Sequence, residues 1–255
     1  MVSKAVYNLL KQGFREDERK IEEYRKIEVK VNPIEHASGS AWVKFGDTEV
    51  LAGVKMDVGE PFPDTPDEGA LISNVEFTPI AAPEFEPGPP SNTAIELARV
   101  VDRGIREHGL DFESLCITPK EKVWMVYLDI YPTNSDGNLF DAAALAALIA
   151  LKNAKIPKYD EKEDKVYHEE FTNKKLKFKD EPILITTYKI GDLCFLDPTK
   201  KEEEESDARL SFAITNDGDI CAIQKGKEGS FSEEEIEQAI KRSQKFAKEL
   251  RKYVD

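Results

Sequence analysis

Residues 139–154 read Leu-Phe-Asp-Ala-Ala-Ala-Leu-Ala-Ala-Leu-Ile-Ala-Leu-Lys-Asn-Ala, a helix-forming run that is apolar on nearly every side. A helix without a polar face has to be covered all round. The run is shorter than the roughly 20 residues that cross a bilayer, so its cover must be protein. The spacing therefore predicts a buried helix over Leu139–Ala154, held between layers of other elements.

Extended segments can supply those layers. Lys26–Asn32 alternates Ile27, Val29 and Val31 with polar residues, as a half-buried strand does. Strands are expected at Ser40–Phe45 and Glu49–Asp57, joined by a Gly46-Asp47 turn. Leu71–Ile80 reads as extended and Val123–Tyr131 as a strongly apolar strand. The first segment, to about Arg25, is charged and reads as helix. Gly59–Asp67 holds three prolines and Pro79–Pro90 five, so both are loops. Ser91–His108 reads as a helix with Ala94, Leu97, Ala98, Val101 and Ile105 on one face and Arg99, Arg103 and Arg106 on the other.

Beyond the buried helix, Lys155–Asp180 is polar and reads as a connector or exposed excursion. Strands resume at Ile183–Ile190 and Leu193–Leu196. An acidic loop follows at Lys200–Asp207, then strands near Arg209–Thr215 and Asp219–Gln224 around an Asn216-Asp217-Gly218 turn. Ser232 with Glu235 forms a capping box that opens a last helix, with Ile236, Ala239, Ile240, Ala247, Leu250 and Val254 as its apolar stripe. Lys44–Leu51 and Lys189–Leu196 share Lys, Gly, Asp and Leu at matching positions. The echo suggests a duplicated unit of strands and helices, an α+β architecture. The division expected is a first half at 1–155, a polar connector at 156–182 and a second half at 183–255.

The chain has 36 basic and 50 acidic side chains, a formal charge of −14. That balance argues against a free-standing nucleic-acid binder, although a local basic face remains open to it. Residues 1–10 do not resemble a signal peptide, and Cys116, Cys194 and Cys221 form no CxxC pair. A cytoplasmic protein without membrane association is the expectation. His36, His108 and His168 have no nucleophile or carboxylate at motif spacing, and Trp42 and Trp124 lie in strands, where core positions are commoner than base-stacking ones. No phosphate-binding glycine loop is present. The residues offer no catalytic set, no metal-ligand set and no cofactor motif.

Several stretches together resemble the RNase PH family. They are Arg15-Glu16-Asp17-Glu18-Arg19 with Glu23, Arg25 and Ile27, then Ser38-Gly39-Ser40, and Phe45–Val50. The arginine helix, the strand to Tyr131 and Asp136-Gly137 before the Ala-rich helix complete the order. Within the family, Asp136–Ala143 is similar to the non-catalytic RNase PH-like subunits of archaeal exosomes. The resemblance implies a duplicated βαβα fold like the second domain of ribosomal protein S5. In active members it implies attack of inorganic phosphate on the 3′-terminal phosphodiester of RNA, with a carboxylate-held divalent metal.

Those demands are not met here residue by residue. Active members have a small hydroxyl residue and then Arg after Asp-Gly-Gly, whereas this chain has Asn138, Leu139 and Phe140. Asp141, near the helix start, is expected to repel an anion there. Asp207 can match one member of the family's carboxylate pair. The other falls near Lys201 or Glu202; Glu202–Glu205 could offer a substitute carboxylate, but it reads first as a solvated acidic loop. Arg99 and Arg103 match arginines that the family presents to RNA, with Arg106 on the same face. The competing expectation is that Glu96–Arg99 and Asp102–Arg106 pair within the helix.

The resemblance thus implies a non-catalytic subunit that binds single-stranded RNA through Arg99 and Arg103. It implies a hexameric ring of three heterodimers with a catalytic RNase PH-like exosome subunit, and RNA-binding cap proteins of the S1 or KH type. The alternative is a phosphorolytic 3′–5′ exoribonuclease active on its own.

Overall fold

The structure is a computed structural model that describes residues 4–254. Its first sheet runs in the order β1 (Ile27–Val31), β2 (Gly39–Phe45), β3 (Thr48–Gly59), β6 (Lys122–Asn134), β4 (Ala70–Val75), with β5 (Cys116–Thr118) paired to the start of β6. β4 and β6 are parallel, and the crossover between them is helix α2 (Asn92–His108). The second sheet has the order β10 (Leu193–Leu196), β9 (Ile183–Ile190), β11 (Ala208–Ile214), β12 (Ile220–Gly226), all antiparallel.

Helix α3 (Leu139–Lys152) lies between the two sheets, against β2 and β3 on one side and β9 on the other. Twelve of its fourteen residues are buried, as its apolar circumference requires. Gly39 lets β2 come this close, because a Cβ there would collide with the Ala150 and Ala154 backbone. α2 lies beside α3 in the same layer, where Gly104 meets Ala213 of β11. Helix α5 (Glu233–Leu250) covers the other face of the second sheet, with Lys189 of β9 paired to Glu235 at 2.6 Å. The layers are therefore sheet, helices, sheet, helix, in an α+β fold.

The expected Gly46-Asp47 turn and its echo at Gly191-Asp192 are both present as turns, each with its glycine left-handed (φ +57° and +61°). The two hairpins are embedded differently. β3 continues inward to pair with β6, whereas β10 is an edge and its partner β9 pairs with β11.

Three expectations need correction, and the polar excursion gains detail. Helix α1 covers only Lys4–Lys11, ending before left-handed Gly13; residues 1–3 of the expected helix lie outside the described residues. Residues 12–26 are irregular, and Arg15, Glu16, Arg19, Glu22 and Arg25 among them pair with side chains of the second half. Extended structure ends at Val75, not Ile80. The polar excursion is an ordered hairpin, β7 (Lys155–Asp160) with β8 (Lys165–Lys175), tied to the body by Lys155 N–H to Ser38 O and Leu176 N–H to Ala154 O. The acidic loop is a short helix, α4 (Lys200–Glu205), opened by a Thr199/Glu202 capping box.

Candidate nucleic-acid interface

Ser91 caps α2 by accepting the Ala94 N–H at 3.2 Å. The helix buries Ala94, Leu97, Ala98, Val101, Gly104 and Ile105, which leaves the arginine face outward. The three arginines of that face are not equivalent. Arg106 is taken by Asp102 (Nε to Oδ2 2.8 Å, Nη2 to Oδ1 2.8 Å) and by the Leu71 carbonyl at 2.7 Å. Arg103 is exposed and, among the described residues, donates only to the neutral Gln224 side chain of β12, at 3.2 Å. Arg99 is exposed and has no hydrogen bond or ion pair among the described residues. The expected Glu96–Arg99 pair does not form, because Glu96 is turned to Arg209 of β11 at 2.5 Å. Arg99 and Arg103, one helical turn apart, are thus left with uncommitted guanidinium donors.

A cleft of about 240 Å³ adjoins this helix where α3 begins, lined among others by Thr93, Leu97, Leu139, Phe140, Glu203 and Lys227. The turn before α3 is rigidly set. Gly137 has φ +81°, and a Cβ there would strike the Pro198 carbonyl at 2.5 Å. Thr48 donates to its carbonyl at 2.6 Å. Asn138 is left-handed, with φ +53°. Its N–H, at the head of α3, is where a helix start offers a donor to an anion. Glu203 Oε2 already accepts it at 3.0 Å, and the other carboxylate oxygen accepts the buried Tyr188 hydroxyl at 2.9 Å. Lys227 locks the far end of α4 by donating to the carbonyls of Glu203 and Ser206 and to Ser206 Oγ. Burial lowers the pKa of that ammonium, nearby Glu203 opposes the shift, and Arg209 adds to it. The Phe140 ring is roofed by the Arg209 guanidinium at 3.6 Å.

The acids expected near this cleft face elsewhere. Asp141 is fully buried, its Oδ2 accepting from Tyr24 Oη at 2.8 Å and Asn138 Nδ2 at 3.2 Å. Burial raises its pKa to about 6, against the neighbouring Thr186, Tyr24 and Asn138, which favour the charged form. Asp207 Oδ2 accepts the Gly191 N–H at 2.7 Å, closing the β9–β10 turn. Glu202 is not solvated: it is 1% exposed and paired with Arg15, whose Nε donates to it at 2.9 Å. Asp207 and Glu202 thus each serve an internal contact, the β9–β10 turn and the Arg15 pair. No cluster of three or more His, Cys, Asp or Glu that could hold a metal ion occurs among the described residues.

The sequence reading missed the strap that holds the cleft's floor. Arg15 also donates to the Leu196 and Asp197 carbonyls, at 2.8 and 2.7 Å. Arg19 and Arg25 grip the buried Asp197 carboxylate, at 3.0 and 2.8 Å, and Arg25 reaches the Asp136 and Gly137 carbonyls. Burial alone would raise the Asp197 pKa, but Arg25 and Arg19 outweigh it and hold the carboxyl below its usual range.

The chain matches the 3′ exoribonuclease family model of domain 1 at residues 23–157 and that of domain 2 at residues 180–245. It is 50% identical over 251 residues to the exosome complex component Rrp42 of Thermococcus gammatolerans, an alignment spanning 97% of this chain and 91% of that protein. Its fold is similar to a chain of the Archaeoglobus fulgidus exosome with RNA bound to the active site (TM-score 0.90, 42% identity, 98% of this chain and 96% of that one). An archaeal exosome core contains another similar chain (TM-score 0.85, 39% identity, 98% and 94% covered).

Proposed function

The chain belongs to the RNase PH family of 3′ exoribonucleases, and from that premise we propose that it is a non-catalytic RNase PH-like subunit of an archaeal exosome. In this reading it scaffolds the ring and holds RNA for the phosphorolytic site of a catalytic partner.

The observation that carries the reading is the contact of Glu203 with the Asn138 N–H. Phosphorolysis needs a phosphate held by preorganised donors and a stabilised charge on the transferring group. In this chain the helix-start donor serves an internal carboxylate. The next side chains, Leu139 and Phe140, donate nothing, and Phe140 lies beneath Arg209. A phosphate entering the cleft would meet the negative charge of Glu203 at close range. Loss of a single preorganised donor costs about 10²–10³ in rate.

Arg99 and Arg103 carry the RNA-binding part. Contacts of guanidinium groups with phosphates are independent of sequence and act through counterion release. A few such contacts suffice in a chain of net charge −14 if partner subunits supply further basic surface.

Docking onto a partner is supported by the first sheet. α2 and α3 cover its inner face. The outer face keeps Trp42, Leu51, Tyr127 and Tyr131 half-exposed and Ile72 38% exposed. An apolar sheet face of this kind is the ordinary mark of a protein contact. The ring of three heterodimers, and caps of the S1 or KH type, remain part of the proposal. The test is to mix the chain with a catalytic RNase PH-like subunit and measure mass by light scattering together with phosphate-dependent release of nucleoside diphosphates. A hexamer that is active only when mixed supports the reading. A monomer that ignores the partner at micromolar concentration overturns it.

A further inference from the structure

Beyond the C-terminal end of α2, a groove of about 670 Å³ opens between β5 and the β7–β8 hairpin. Its floor is apolar: Leu115, Ile117, Ile156 and Trp124, the last 8% exposed. Its rim carries Lys174, Lys175 and Lys177 against a single carboxylate, Glu161. Lys174 and Lys177 have no ion pair among the described residues, and Lys175 donates only to the neutral Asn153 Oδ1, at 3.2 Å. Many lysines elsewhere are neutralised by acids, as in Lys158–Glu170, Lys189–Glu235 and Lys200–Glu84. A net positive trough in a chain of charge −14 is a local arrangement that composition does not give.

The walls of the groove are preformed. Lys122 Nζ donates to Tyr159 Oη at 3.0 Å and to Asp164 at 2.6 Å, and Tyr159 Oη donates to Asp164 at 2.6 Å. That triad pins the hairpin tip to β6. The Tyr159 ring meets Trp124 edge-on, with centroids 6.1 Å apart. The wall strands also have spare edges: among the described residues β5 pairs only with β6, and β7 only with β8. A one-sided strand beside an apolar trough can accept an extended chain through main-chain hydrogen bonds, with alternate side chains dropping into the floor.

The geometry points to this groove as a docking site for an extended, acidic segment of a partner protein that carries an apolar anchor residue. The apolar floor takes the anchor, and the three lysines meet carboxylates on either side of it. Single-stranded RNA fits less well. No arginine lines the groove, and Trp124 is too buried to offer the open ring face on which a base stacks.

The test uses the full chain and a fluorescein-labelled ten-residue peptide of Asp and Glu with one central Phe, followed by anisotropy. Saturable binding is expected. The double variant Lys174→Glu/Lys177→Glu should weaken it by about tenfold or more, and a matching peptide of Asn and Gln should not bind. Ile117→Lys, which spoils the floor and leaves the rim, should weaken it as well. Circular dichroism establishes that each variant is folded. Arg99→Glu/Arg103→Glu should leave peptide binding unchanged, separating this site from the proposed RNA face. The inference is overturned by absence of saturable binding at millimolar peptide or by equal binding to the Lys174→Glu/Lys177→Glu variant. It is equally overturned if an RNA oligonucleotide binds the chain and loses that binding in the lysine variant.

Discussion

Glu203 Oε2 stands 3.0 Å from the backbone nitrogen of Asn138, so the chain supplies its own anion at the start of α3. The same carboxylate holds the Tyr188 hydroxyl at 2.9 Å, and Tyr188 is fully buried. Glu203→Ala should leave two donors without a partner and destabilise the fold by about 2–3 kcal/mol. Glu203→Gln, which keeps one acceptor, should cost less. Urea denaturation of the two variants checks the order.

The arginines of α2 should separate by role. Arg99→Glu/Arg103→Glu should weaken RNA binding by the assembled complex for any RNA sequence and flatten its salt dependence. Their loss should leave stability nearly unchanged, since neither carries an ion pair among the described residues. Arg106→Ala should do the reverse: it removes the Asp102 pair and the Leu71 hydrogen bond, about 1 kcal/mol together, and leaves RNA affinity intact. Affinity at two salt concentrations and thermal denaturation distinguish the two patterns.

How far these roles could be read from sequence depended on distance along the chain. The Asp102–Arg106 pair was legible because both residues lie on one helix face. Glu96–Arg99 looked equally good, but Arg209, brought in from β11, takes the glutamate. The buried helix and most strands were legible because their apolar periods are local. The N-terminal strap was not, because Arg15 finds Glu202 187 residues away. For α4, the Thr199-x-x-Glu202 capping signal was present in the sequence, but the run of acids around it read as solvated. Glu203 stood out only as part of that acidic run, since its role depends on Asn138, 65 residues distant.

The strap should behave as a buried ion pair. Arg15→Ala leaves Glu202 charged and nearly inaccessible, and should cost about 3–5 kcal/mol. Arg15→Met/Glu202→Leu removes both charges and should recover much of that loss. Chemical denaturation of the single and double variants gives the coupling.

Two buried carboxylates should give stability opposite slopes with pH. Asp141 has a folded pKa of about 6, above the ~3.9 of an unfolded aspartate. The folded state therefore binds the extra proton between these values, and stability falls as pH rises through that window. The full effect is of order 3 kcal/mol. Asp197 is shifted down, so its contribution is present above pH ~4 and is lost as pH falls through its folded value. In Asp141→Asn the decline between about pH 4 and 6 should disappear while the acid limb remains. Urea midpoints measured from pH 3 to 8 test both limbs.

The central claim is that this chain does no chemistry itself and serves a partner that does. It is tested most directly by nucleoside diphosphate release from an RNA tail in the presence of inorganic phosphate, with the pure chain and with the chain plus a catalytic RNase PH-like subunit. The expected result is no release by the chain alone and release on mixing, reduced at high salt and by Arg99→Glu/Arg103→Glu. Robust phosphate-dependent release by the pure chain, abolished by Asp207→Ala, would contradict it.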